Sequence, residues 1–224
     1  MSEISHRRRR RVASALFLAL VLLAAASSPL SAHYHILLPA SPAVRPGEPV
    51  PLELSYGHPF EHSLESLKPP ISAKVYPPGA PDGVDLLRDR AAGEREAEKK
   101  GHRLLCPIDR RGDHIVVVEA APIFDASERV ITRDHVKVIV HVRSQDGWDR
   151  RVGQPLELVP LVRPYGLRPG WVFQAAAFLD GEPLAGAEVE MERYNAEPPP
   201  SSPGAAGLPE DEFITRTSRT AAGG

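Results

Sequence analysis

Cysteine is nearly absent. Cys106 is the single cysteine among 224 residues, so no intramolecular disulfide forms and the fold must rest on a packed core. Catalytic signatures are missing too: there is no Gly-x-Ser-x-Gly elbow, no phosphate loop and no His-Glu-x-x-His. Asp109, Asp113 and Asp125 fall in turn-like contexts and need no catalytic explanation. The chain is therefore expected not to be an enzyme. A basic surplus is also lacking, with 27 Lys+Arg against 29 Asp+Glu. That argues against a nucleic-acid partner, which needs a basic face. Proline, by contrast, is abundant at 24 residues and costly inside helices, which disfavours a helical bundle.

The N-terminus carries the strongest local pattern. Arg7 to Arg11 precede an apolar run from Val12 to Ala26, then a short polar stretch to Ala32 and His33-Tyr34-His35. A positive segment, a short apolar segment and small residues before a cut predict a cleaved signal peptide over 1–32 and a periplasmic location. Pro29 favours the cut after Ala32 because a helix breaker there presents extended chain. Ala24 and Ala26 form a second small-residue signal that would leave Ser27 first, and an uncleaved membrane anchor is the other alternative. Val12-Ala13-Ser14 after the arginines does not suit a twin-arginine signal. Removal of 1–32 leaves 192 residues, with 22 basic and 28 acidic side chains and a net charge of −6. Such an acidic surface tolerates cations. An exported chain without disulfides must rely on its core, which suits a bacterial periplasm better than a small disulfide-stapled extracellular module. Cys106 itself reads first as a buried strand residue.

The periodic segments are short. Val50–Tyr56 alternates apolar and polar residues, His114–Ala120 is a β-branched run, and His135–Val142 alternates at its start. Pro155–Leu161, Trp171–Leu179 and Ala187–Tyr194 follow, and Phe213–Thr217 reads as a further strand. Turn signals such as Pro46-Gly47, Pro78-Gly79, Asp146-Gly147 and Asp180-Gly181 separate them. This is the signature of an all-β sandwich or barrel. One helical stretch is read around Asp85–Lys100, with a solvated loop or a charged β-connection as its equal. Residues Glu197–Gly207 form a proline- and glycine-rich loop. With a boundary near Ser144–Gly153, the reading is two successive Ig-like β-sandwich domains, 33–145 and 154–224. A seven-strand sandwich takes roughly 100 residues, so the second is expected to be incomplete.

Histidine supplies the candidate chemistry. A chain starting at His33 would crowd a free amine and the His33 and His35 imidazoles at one end. Amine, two backbone amides and His35 at position three offer a planar four-nitrogen site suited to Cu2+ or Ni2+. Alternatively the amine and the His33 imidazole close one chelate ring, joined by a third histidine, as in a histidine brace. Both modes need deprotonated ligands, so affinity falls with pH, and tetrahedral zinc gains less. The plain alternative is that His33 and His35 merely flank a first strand, Tyr34–Leu38. His58 and His62 lie on a proline turn after Gly57 and can converge there, with Glu61 accepting a hydrogen bond from a ring N–H behind them. Equally, His58 bonds backbone and His62 is exposed. His135 and His141 share a strand face and read as satisfied or surface histidines. His102 and His114 are weaker candidates, and Arg163, Tyr165 and Trp171 read as packing and turn residues.

Several motifs together resemble a known family. They are His33-Tyr-His-Ile-Leu-Leu-Pro39, Tyr56-Gly-His-Pro-Phe-Glu-His62, Val136–Val142, Gly147-Trp-Asp149, Val152–Leu161, Arg163–Leu167 and Gly181–Val189. The chain resembles the DUF4198 family over nearly its whole mature length. The resemblance implies a NikM/NikK-like periplasmic accessory component of energy-coupling-factor transporters for Ni2+ or Co2+, partnered by inner-membrane metal transporter components. The candidate metal residues are then His33, His35, His58 and His62. This chain departs from the family where Gly112-Asp113 is followed by His114 rather than tyrosine. The competing functions are a structural or adhesion-type sandwich without metal, and copper handling through a histidine brace.

Overall fold

The computed structural model describes residues 33–41, 43–126, 129–197 and 214–224. The leader read at 1–32 lies outside the described residues, as do Phe213 and all but the first residue of the loop expected at 197–207.

The protein is all-β, built on two facing antiparallel sheets. In the first, β2 (Val50–His58) pairs with β1 (Tyr34–Pro39) on one side. On the other it pairs with β6 (Gly101–Cys106) along Val50–Ser55, and with β3 (Ser63–Leu64) at its Gly57–His58 end. The second sheet has the order β10-β7-β4-β5, comprising β10 (His135–Val140), β7 (His114–Glu119), β4 (Ser72–Tyr76) and β5 (Val84–Asp85).

Strand alternation explains why these sheets face each other. Leu52 and Leu54 of β2 and Leu104 and Cys106 of β6 point inward, meeting Val75 of β4, Val116 and Val118 of β7 and Val140 of β10 in one buried cluster. Truncating any of the leucines to alanine would cost about 2–5 kcal/mol. β7 is buried on both faces from His114 to Val118, which accounts for its unbroken β-branched run.

The later strands form smaller sheets. β11 (Leu156–Pro160) pairs with β12 (Ala175–Leu179), which pairs with β13 (Glu182–Pro183). β14 (Glu188–Glu192) pairs with β15 (Thr215–Arg219), and β8 (Ile123–Asp125) with β9 (Val130–Thr132). Buried polar contacts join early and late elements. Lys137 of β10 donates to Glu157 of β11 at 2.7 Å, with the carboxylate side chain 1% exposed. Asn195, just after β14, donates from its side chain to the Phe60 carbonyl at 2.6 Å and from its backbone to Pro59 at 3.1 Å.

Two segments differ from the sequence reading. The helical stretch reduces to α1 (Ala92–Glu96), before which Ala91 supplies no side-chain cap, while Asp85 already belongs to β5. The strand expected from Trp171 begins only at Ala175. The Trp171 amide instead closes a turn onto the Arg168 carbonyl at 3.0 Å, and Trp171 and Val172 stay exposed.

Candidate functional site

The β1–β2 ladder creates the site. Its register sets Tyr34 opposite Gly57 and His35 opposite Tyr56, so His33 arrives beside His58. Because side chains alternate along a strand, His33 and His35 share a face with Tyr56 and His58, while Tyr34 points the other way. The rings form a continuous cluster. His33 lies 4.2 Å from His58 and 5.5 Å from Tyr56 between centroids, and His35 lies 4.7 Å from Tyr56. Gly57 lets β2 turn back closely onto β3: its φ is +144°, and an added Cβ would sit 2.1 Å from the Ser63 carbonyl oxygen.

Carboxylates orient two of the imidazoles. His33 donates from Nε2 to Glu65 Oε1 at 3.0 Å, and His35 from Nδ1 to Asp134 Oδ2 at 2.5 Å. The His35 side chain is only 3% exposed. Glu65 is placed by its own amide, which donates to the Tyr56 carbonyl at 2.9 Å as the chain turns back through β3. On the opposite face the Tyr34 hydroxyl donates to Glu190 at 2.5 Å. Burial and that carboxylate push the Tyr34 pKa upward.

The four expected metal residues are thus split between surroundings. His33 and His58 are brought together, His35 is engaged with Asp134, and His62 turns to the second segment, donating from Nδ1 to the Asn195 carbonyl at 3.1 Å beside Tyr194. The carboxylate beside His33 is Glu65 rather than Glu61, a residue whose role only the hairpin register reveals. Among the described residues, no group of three or more His, Cys, Asp or Glu side chains is gathered as a metal ion would need.

Several other titratable groups are engaged within the fold. His102 is buried, donating from Nε2 to the Leu67 carbonyl at 3.1 Å, and burial lowers its pKa. His114 is wholly buried, with Nε2 lacking a hydrogen-bond partner, and burial lowers its pKa as well. His141 donates to the buried carboxylate of Asp113 at 2.8 Å, and Tyr165 donates to the same carboxylate at 2.6 Å. Burial pushes the Cys106 thiol up to about 12, so it carries no thiolate character.

These features define an all-β protein of several antiparallel sheets, two of them facing across the main core, with His33 packed on His58 and carboxylates on His33 and His35 at the start of the first strand. The family described as a domain of unknown function, DUF4198, matches residues 30–224, and the chain belongs to that family. Neither a curated protein nor a solved structure matches the chain. Among the described residues no helix is long and apolar enough to cross a membrane.

Proposed function

We propose that this protein is an exported accessory protein that captures a divalent metal, nickel or cobalt, and passes it to inner-membrane transporter components. The observation that carries the reading is the packing of His33 on His58 at 4.2 Å, with Glu65 on the Nε2 of His33. A carboxylate acceptor at Nε2 keeps the proton there, so the lone pair of neutral His33 sits on Nδ1. Nδ1 is also the nitrogen that closes a chelate ring with the amine of the same residue. In a chain cut after Ala32, amine, His33 Nδ1 and the His58 imidazole would supply three nitrogens, a donor set suited to Ni2+.

This geometry supports the brace-like mode over the planar one. Consecutive amides of a strand point in opposite directions, so Tyr34 and His35 within β1 cannot both turn to one ion. The Nδ1 of His35 is moreover held by Asp134. Copper would bind the same three nitrogens, and intrinsic affinity ranks it above nickel.

Calorimetric titration tests the reading, using protein that starts at His33 beside protein with one alanine added ahead of it. Nickel binding confined to the first version, and lost in His58→Ala, supports the proposal. Equal binding by both versions moves the ligands elsewhere. No binding of nickel, cobalt or copper leaves a structural sandwich as the better reading.

A further inference from the structure

Next to the histidine pair lies a cavity of about 360 Å³. It shares His35, Tyr56 and Glu65 with the site, and its further walls include Lys68, Glu98 and Phe124. Its volume falls within the roughly 300–1,000 Å³ range of small-molecule sites. Its walls combine aromatic rings with carboxylates and one ammonium group. Lys68 and Glu98 are exposed side chains with no hydrogen-bond or ion-pair partner among the described residues.

Among the described residues no set of three His, Cys, Asp or Glu side chains is gathered, too few to complete a metal's coordination. Resting on the metal-capture reading, we infer that the cargo is a metal chelate: one divalent ion with one amino-acid ligand, its organic part seated in this cavity. Three protein nitrogens leave at least one equatorial position of a tetragonal Ni2+ site to another donor. Charge selects the class of that donor. Glu65 and Glu98 outnumber Lys68 at the cavity, which favours a positively charged occupant. A divalent ion bound to one amino-acid anion keeps a single positive charge, whereas a divalent ion with one citrate is negative. Lys68 can receive the amino acid's carboxylate, and Tyr56 and Phe124 can flank its side chain. The cavity thus completes the coordination that the histidines begin.

Equilibrium dialysis of protein starting at His33 tests this, with Ni2+ alone, Ni2+ plus labelled L-histidine, and Ni2+ plus labelled citrate. The expected result is one L-histidine retained per chain only when Ni2+ is present, and no citrate. Lys68→Ala and Phe124→Ala, both at exposed side chains, should weaken histidine retention about tenfold each, the scale of one good contact, while leaving the affinity for Ni2+ alone unchanged. Ni2+ retained while the labelled histidine equilibrates freely overturns the inference and leaves metal capture standing. Histidine retention that ignores both substitutions also overturns it, because the ligand then sits elsewhere. Failure to retain Ni2+ under any condition removes metal capture and this inference with it.

Discussion

Replacing Lys137 by methionine should destabilise the protein by about 3 kcal/mol at pH 7, near the low end for breaking a buried ion pair. The pair is well buried: the Lys137 side chain is 10% exposed and that of Glu157 1%. The low end applies because the orphaned carboxylate would keep two other donors, the amides of Val152 at 2.9 Å and Gly153 at 3.0 Å. Although burial alone would raise the Glu157 pKa, the Lys137 bond and these amides outweigh it and hold the group below the usual carboxylate range. Its contribution is therefore complete above the unfolded value of about 4.3 and is lost as pH falls through the lower folded value. Without Lys137 that restraint weakens, the folded-state pKa rises, and the variant escapes its penalty by taking up a proton. The gap between wild type and Lys137→Met should then narrow as pH falls from 7 to 4. Urea denaturation followed by circular dichroism at both values measures it, and at neutral pH Tm should fall by about 6–12 °C. A loss under about 1 kcal/mol at pH 7, or a gap that stays constant with pH, would refute the reasoning.

Four further outcomes follow from the same geometry. His58→Ala should weaken nickel binding about tenfold or more, while His62→Ala should leave it unchanged; calorimetry in which His62 proves the stronger contributor would reverse the assignment. Gly57→Ala forces a side chain into the left-handed region and against a backbone oxygen, so it should cost at least about 1–3 kcal/mol in chemical denaturation and also disturb the neighbouring His58. Cys106 should resist a thiol reagent in the native protein and react on unfolding; prompt native labelling would contradict its burial. The lowered pKa of His114 makes its folded form favour the neutral ring, so its contribution is present above about 6.5 and is lost as pH falls below that value. His114→Phe should flatten the decline in denaturation midpoint between pH 7 and 5, and an unaltered slope would place the titrating group elsewhere.

Strands that alternate cleanly were legible. Val50–Tyr56 became the first seven residues of β2, and His135–Val142 contains β10, because one apolar face of each enters the core. β4 escaped notice, and β6 was legible only through Cys106 as a buried strand residue, for physical reasons. β4 contributes only Ala73 and Val75 to the core. In β6 the inward series begins with His102, whose polarity breaks the pattern, while Leu105 faces outward and is exposed. His102 is tolerated inside because the Leu67 carbonyl and Arg90 satisfy both ring nitrogens. Of the site, the residue types were readable but the pairing was not. Spacing of four suggested that His58 meets His62, whereas strand register sets His58 against His33 and the Asn195 carbonyl takes His62. Glu65 and Asp134 carried no local signal, since each reaches its histidine through pairing distant in sequence.

If a leader is cut after Ala32, as proposed, the register that puts Tyr34 opposite Gly57 would also constrain how the protein is made. A leader cut after Ala32 leaves a single residue between the severed bond and the first rung of the ladder. A peptidase must hold extended chain on both sides of the bond it cuts, and a strand already hydrogen-bonded to β2 cannot enter its cleft. Processing would therefore precede closure of the first sheet. The new amine would be drawn beside His58 only as β1 zips onto β2, so maturation of the leader and assembly of the histidine pair would occur in a fixed order during export.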